Sequence, residues 1–189
     1  VCPNPYYTPE VAAECMEKIF LPTVRAMNAE GRTFRGCLYF GLMLTKDGPK
    51  VIEYNCRFGD PETQVVLPLM ESDLMEAFMA CREGTLDRAD VRFGSGAAAC
   101  VVLASGGYPK KYETGFPIEG LDEDGGHPGV IVYHAGTKKQ DGKFLTAGGR
   151  VLGVTGLGDN LPQALEKAYD AVKEITFEKV HYRTDIGKK

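Results

Sequence analysis

No two of the six cysteines stand closer than Cys2 and Cys15, so the chain has no Cys-x-x-Cys pair for zinc or redox chemistry. Cys2, Cys15, Cys37, Cys56, Cys81 and Cys100 are scattered singly, several in apolar runs where a free thiol packs as a small hydrophobe. That usage points to a reducing, cytoplasmic setting. No apolar run is long enough to span a bilayer, and no signal-peptide pattern is present. Because the first residue is Val1 rather than Met, the missing signal says little about targeting. Blocks of like charge are absent too. A net charge of −4 argues against nucleic acid or a membrane surface as partner, and the basic pair Lys188-Lys189 reads as a solvated tail. There is no internal repeat and no low-complexity stretch. Apolar material is plentiful: at 43% hydrophobic content over 189 residues, the chain can bury a core, as one domain or two small ones.

The most informative segment is Glu53-Tyr54-Asn55 followed by Arg57-Phe58-Gly59-Asp60-Pro61-Glu62-Thr63-Gln64. Strand alternation from Val51 sends Val51, Glu53, Asn55 and Arg57 to one face and Ile52, Tyr54, Cys56 and Phe58 to the other. One face is apolar; the other carries a carboxylate, an amide and a guanidinium. Asn is depleted in strands because it packs poorly on a pleat, which argues against a merely wet face. Two residues apart, Glu53 and Asn55 project oxygen ligands about 7 Å apart, at a rise of roughly 3.3 Å per residue. One hard cation, or a pair bridged by phosphate oxygens, fits that spacing. Arg57 adds a fork of donors suited to phosphate or carboxylate. Spacing alone leaves a metal or phosphate site and a solvated face both open.

The next residues carry a structural reading as well. Gly59 ends the strand, Asp60 is a helix N-cap, Pro61 takes the first helical position and Glu62 favours the positive end of the helix dipole. The resulting strand, turn and helix also aim backbone N–H groups toward an anion. Asp60 is read as a cap rather than a catalyst.

Elsewhere, Thr8 and Pro9 open a helix with Val11, Cys15, Ile19 and Phe20 as its buried stripe. Pro22 is expected to kink or break it, and Gly31 to end the segment. Cys37–Thr45 and Val51–Phe58 read as a hairpin around Lys46-Asp47-Gly48-Pro49. Pro68 interrupts the helix begun at Pro61. Ser72 is expected to cap the next helix and Gly84 to close it, with Leu74, Ala77, Phe78 and Cys81 inward and the Met and Phe residues of 75–79 in the core. After Gly84, short strands (97–104, 130–135, 151–155) alternate with turns such as Gln140-Asp141-Gly142-Lys143. A late helix capped by Asn160 follows, with Leu161, Leu165, Ala168, Val172 and Ile175 on one face. The fold class is α+β, with a boundary near Leu86–Phe93 separating 1–88 from a small, mostly β domain with one helix over 89–189. His127, His134 and His181 are read as packed or surface residues, and Gly106-Gly107 and Gly148-Gly149 as turns that also permit close approach of a phosphate.

The run from Gly48 to Gln64 resembles the signature of the phosphoribosylamine–glycine ligases, or glycinamide ribonucleotide synthetases, of the ATP-grasp superfamily. The likeness continues through Gly36-Cys37-Leu38-Tyr39-Phe40-Gly41-Leu42-Met43, Gly106-Gly107-Tyr108-Pro109, His134-Ala135-Gly136-Thr137, Gly148-Gly149-Arg150-Val151-Leu152 and Tyr182-Arg183-Thr184-Asp185-Ile186-Gly187. It implies that 1–88 is the C-terminal part of an ATP-grasp domain. Family members carry a substrate domain and a lid with an ATP-binding Lys upstream of the matching region, so the chain resembles only their C-terminal part. It is expected to be a fragment or trimmed piece, inactive alone and dependent on the upstream domains of its parent. The activity the resemblance implies belongs to purine biosynthesis. Glycine is phosphorylated by ATP to glycyl phosphate, and 5-phosphoribosylamine displaces phosphate to give glycinamide ribonucleotide. Glu53 and Asn55 match the family's ligands for Mg2+ or Mn2+ on the ATP phosphates, and Arg57 would stabilise the transferred phosphoryl group. Substrate contacts carry over to Arg57, Gly59, Asp60, Pro61 and Glu62. Many ATP-grasp enzymes place a further acid on the preceding strand, but Cys37–Thr45 carries none, so a second metal would lean on Glu53 or water. Two alternatives stand beside this: another ATP-grasp carboxylate–amine ligase, or a non-catalytic interaction module.

Overall fold

In the computed structural model, which describes residues 1–188, the elements in chain order are α1 (Pro9–Cys15), α2 (Leu21–Ala29), β1 (Tyr39–Thr45), β2 (Gly48–Asn55), α3 (Thr63–Val66), α4 (Leu74–Glu83), β3 (Ala97–Ser105), β4 (Ile131–His134), β5 (Thr137–Gln140), β6 (Lys143–Thr146), β7 (Arg150–Gly158), α5 (Leu161–Glu174) and β8 (Val180–His181). The mixture of helix and strand is α+β. Lys189, half of the expected basic tail, lies outside the described residues. No helix among the described residues is long and apolar enough to cross a membrane.

The chain forms two compact units, and neither is one continuous stretch: one comprises 4–60 and 70–93, the other 1–3, 61–69 and 94–189. The first unit opens as the sequence predicts. Thr8 caps α1, its hydroxyl accepting from the Val11 amide at 3.4 Å, with Pro9 at the first position. Cys15 and Ile19 are buried. Pro22, however, does not break the helix. A π turn over Met16–Phe20 links α1 to α2, with the Leu21 amide reaching Met16 O. The widened turn immediately precedes Pro22, which has no amide to donate. Glu30 and Gly31, the latter at φ +68°, end α2.

Strands β1 and β2 pair antiparallel through a two-residue turn, Lys46-Asp47. The ladder runs Tyr39↔Asn55, Phe40↔Tyr54 and Gly41↔Glu53, then slips to Leu42↔Val51, leaving Ile52 as the extra residue of a bulge. Here the structure corrects the expected apolar face: Ile52 is 62% and Tyr54 51% exposed. The bulge breaks strict alternation between Val51 and Glu53. Tyr54 nevertheless meets Phe40 edge-on at 5.3 Å, and Phe40 meets Phe20 at 4.5 Å.

Helix α4 ends at Gly84 in the left-handed conformation, as predicted, but its cap is Asp73, not Ser72. Asp73 Oδ1 accepts from the Met75 and Glu76 amides at 2.7 and 3.2 Å. Ser72 Oγ is taken by the Arg92 amide at 3.0 Å, a contact twenty residues away that local sequence cannot announce. Leu74, Ala77 and Cys81 are half-buried, whereas Met75, Phe78 and Met79 are 63%, 45% and 44% exposed and so are not core. Asp73→Ala is expected to cost about 0.5–2 kcal/mol, and Asp73→Ser much less, because serine keeps a capping oxygen. Urea unfolding of the two variants, compared with Ser72→Ala, would show which residue caps.

The second unit is built on the antiparallel sheet β4-β7-β3-β8. Central strand β3 is buried on both faces: Ala97 and Ala99 pack with Ala164 of α5, Ala98 and Cys100 with Val65 of α3. Leu103, Val151, Leu152, Val154, Val172 and Ile175 form the main core. Asn160 caps α5, accepting from the Gln163 amide at 3.1 Å. The helix buries Ala164, Ala168, Ala171 and Val172, with Leu161 and Leu165 at the half-buried edge. Gly156 lets α5 approach, since a Cβ there would lie 2.3 Å from Ala164 O. Hairpin β5–β6 turns on Asp141 and Gly142, both at positive φ, as the predicted tight turn requires. Strand β8, only two residues long, carries no periodicity from which to predict it.

Candidate functional site

Beyond the bulge, Glu53 and Asn55 are two residues apart on regular strand and share a face of β2. Asn55 Nδ2 donates to Glu53 Oε1 at 2.9 Å. A carboxylate only accepts, so this contact settles the amide's orientation: nitrogen toward Glu53, carbonyl oxygen away. The pair therefore offers two hard oxygens, Glu53 Oε2 and Asn55 Oδ1. Glu53 is exposed and Asn55 half-buried.

That donor set suits a small oxygen-loving cation that keeps water and substrate phosphates as its other ligands. Among the described residues no group of three or more His, Cys, Asp or Glu could hold a metal. Facing Glu53 across the ladder is Gly41, a position that sequence spacing does not single out because only the register brings it opposite.

Arg57 does not continue the pleat, because β2 ends at Asn55 rather than Phe58. Its side chain is exposed, and Nη1 donates to the Phe58 carbonyl at 2.8 Å. The pleat thus brings Glu53 and Asn55 together but does not set the direction of Arg57. Gly59 is buried and Asp60 exposed. The expected helix begins later than its signals suggest: α3 starts at Thr63, Glu62 occupies the cap position without a side-chain cap bond, and 60–62 form a turn. Asp60 and Pro61 therefore precede the helix rather than cap and open it. At four residues, α3 is too short to develop a useful dipole.

The other conspicuous residues have structural partners. His127 lies between Pro128 O at 3.0 Å and Glu174 Oε2 at 3.1 Å. His134 bonds Thr137 Oγ1 and Gly125 O and meets the Phe144 ring at 4.8 Å with a 42° tilt. His181 is an exposed residue of β8. Gly149 seats the Tyr108 ring, since a Cβ there would lie 2.2 Å from Tyr108 Cδ2. Burial pushes the Cys15 and Cys37 thiols up, aided by Glu14 and Cys81 respectively, and burial raises Cys2 despite the nearby amino terminus. None of these three is a primed nucleophile.

Comparison with known proteins places the chain in a family. Residues 1–63 match the family model described as phosphoribosylglycinamide synthetase, ATP-grasp (A) domain, and residues 98–189 match the C domain of the same synthetase. The phosphoribosylamine–glycine ligase of Caldanaerobacter subterraneus is 47% identical over 99% of this chain and 44% of its own length. That of Synechocystis is 48% identical over 100% and 45%. The crystal structure of the Thermotoga maritima ligase superimposes with a TM-score of 0.82 at 36% identity, covering 96% of this chain and 44% of that one. The biotin carboxylase domain of Hydrogenobacter thermophilus 2-oxoglutarate carboxylase shares the fold alone, at TM-score 0.60 and 15% identity over 98% of this chain and 42% of that one. The chain spans less than half the length of the curated relatives it matches. It belongs to the phosphoribosylamine–glycine ligase family, within the ATP-grasp ligases.

Proposed function

We propose that this chain is the C-terminal part of an ATP-dependent ligase that joins glycine to 5-phosphoribosylamine, with Glu53 and Asn55 as its metal-binding pair. The observation that carries the reading is the Asn55-to-Glu53 hydrogen bond, which presents one carboxylate oxygen and one amide oxygen together. Mg2+ or Mn2+ held there would neutralise charge on the ATP phosphates. Glu53 and Asn55 fix that charge at one end of β2, and the Arg57 guanidinium, after a rotation away from Phe58 O, reaches for negative charge on the phosphoryl group in flight. Gly59 and the turn of Asp60, Pro61 and Glu62 that follows it would meet substrate.

In the first half-reaction a glycine carboxylate oxygen attacks the γ-phosphorus of ATP. An O–P bond forms, the bond to ADP breaks, and glycyl phosphate results. In the second, the amine of 5-phosphoribosylamine attacks the acyl carbon. The C–N bond forms, inorganic phosphate leaves and the nitrogen loses a proton, giving glycinamide ribonucleotide. Residues 1–88 would supply the C-terminal part of the ATP-grasp domain and 89–189 a small C-terminal domain. Upstream domains of the parent supply the rest, and the reaction proceeds in the cytoplasm. The exposed Ile52 and Tyr54 on β2 are consistent with a sheet that more chain covers.

The test is an assay of the protein extended to the length of its relatives. ADP and phosphate release should depend on both glycine and 5-phosphoribosylamine, and mass spectrometry should find glycinamide ribonucleotide. The chain alone should give no turnover. Release of ADP with a different amine or carboxylate, and none with this pair, would assign another carboxylate–amine ligase.

A further inference from the structure

Gly41 stands directly opposite Glu53 in the β1–β2 ladder. A Cβ built on it would lie 2.8 Å from Glu53 Cγ and 3.6 Å from Cδ. The close contact is to the middle of the glutamate, not to its flexible tip. Any side chain at position 41 would therefore push Glu53 into a different rotamer.

The backbone gives no reason for glycine here. Gly41 is not among the residues at positive φ, and a strand interior disfavours glycine. What the position needs is space. The bulge that begins between Gly41 and Leu42 lies at the same point, so the ladder departs from regularity where Glu53 crosses it. Along β2, Asn55 Nδ2 holds Oε1 at 2.9 Å. The carboxylate is thus bracketed by a residue with no side chain on one strand and an amide donor on the other.

We infer that Gly41 is a positioning residue for Glu53: by leaving room on β1 it lets the carboxylate lie across the hairpin, so that Oε2 and Asn55 Oδ1 form the pair offered to a divalent cation. The inference rests on the reading of Glu53 as a metal ligand, and one experiment separates the two. Mn2+ binding in the presence of ATP is measured by electron paramagnetic resonance on the full-length protein, for wild type, Gly41→Ala, Glu53→Ala and the double variant, with melting temperature alongside.

Gly41→Ala should weaken Mn2+ at least tenfold and raise the KM for Mg2+ more than it lowers kcat at saturating metal, while the melting temperature holds or rises. In the Glu53→Ala background, where no Cγ remains to displace, Gly41→Ala should leave Mn2+ affinity unchanged. Unaltered Mn2+ binding in Glu53→Ala would remove the ligand reading and this inference together. A normal Gly41→Ala beside a weakened Glu53→Ala would overturn the positioning role alone. A Gly41→Ala variant that loses melting temperature and affinity in parallel would also overturn it, by showing that the glycine serves the fold.

Discussion

Glu53→Gln in the full-length protein should lower turnover by roughly two to four orders of magnitude while leaving the fold intact. The exchange keeps the side chain's shape and its ability to accept from Asn55 Nδ2, and it removes only the charge. A ligand to phosphate-bound metal acts where charge moves in the transition state, and several kcal/mol there translate into about tenfold per 1.36 kcal/mol. Glu53 is exposed, so little packing is at stake. Turnover across a Mg2+ titration, with thermal unfolding alongside, is the measurement. Near-normal rates at saturating Mg2+ would remove Glu53 from the metal site.

The largest effect on stability is expected at Leu152. It is fully buried in β7, directly opposite the equally buried Leu103 of β3. Leu152→Ala removes apolar atoms from the main core and leaves a cavity that a paired central strand cannot collapse to fill. Such changes cost about 2–5 kcal/mol, against a typical total of roughly 5–15 kcal/mol. Urea unfolding should show a lower midpoint at unchanged slope. Met75→Ala, at a residue 63% exposed, is the control and should stay within about 0.5 kcal/mol. A Leu152→Ala cost below about 1 kcal/mol would mean that the core repacks around the gap.

Sequence by itself determined the features whose physics is local. Thr8 and Asn160 cap helices because their side-chain oxygens reach amides three residues on, and Pro9 fits the first helical position. Gly84 and Asp141-Gly142 sit where the backbone must turn left-handed. Glu53 and Asn55 share a face because a strand repeats every two residues. The run from Gly48 to Gln64 was enough to bring the ligase family into view.

Tertiary structure decided whatever depended on a distant partner. Ser72 loses the cap to Asp73 because Arg92 claims its hydroxyl. Pro22 is accommodated by a π turn, a choice that residue preferences do not encode. Periodicity marks an apolar face on α4 and β2 but cannot say what covers it, so Met75, Phe78, Ile52 and Tyr54 stand exposed against expectation. Helix α3 starts only at Thr63, because Asp60, Pro61 and Glu62 are taken up in a turn that precedes it. The space that Gly41 leaves for Glu53 exists only once the two strands are paired in register.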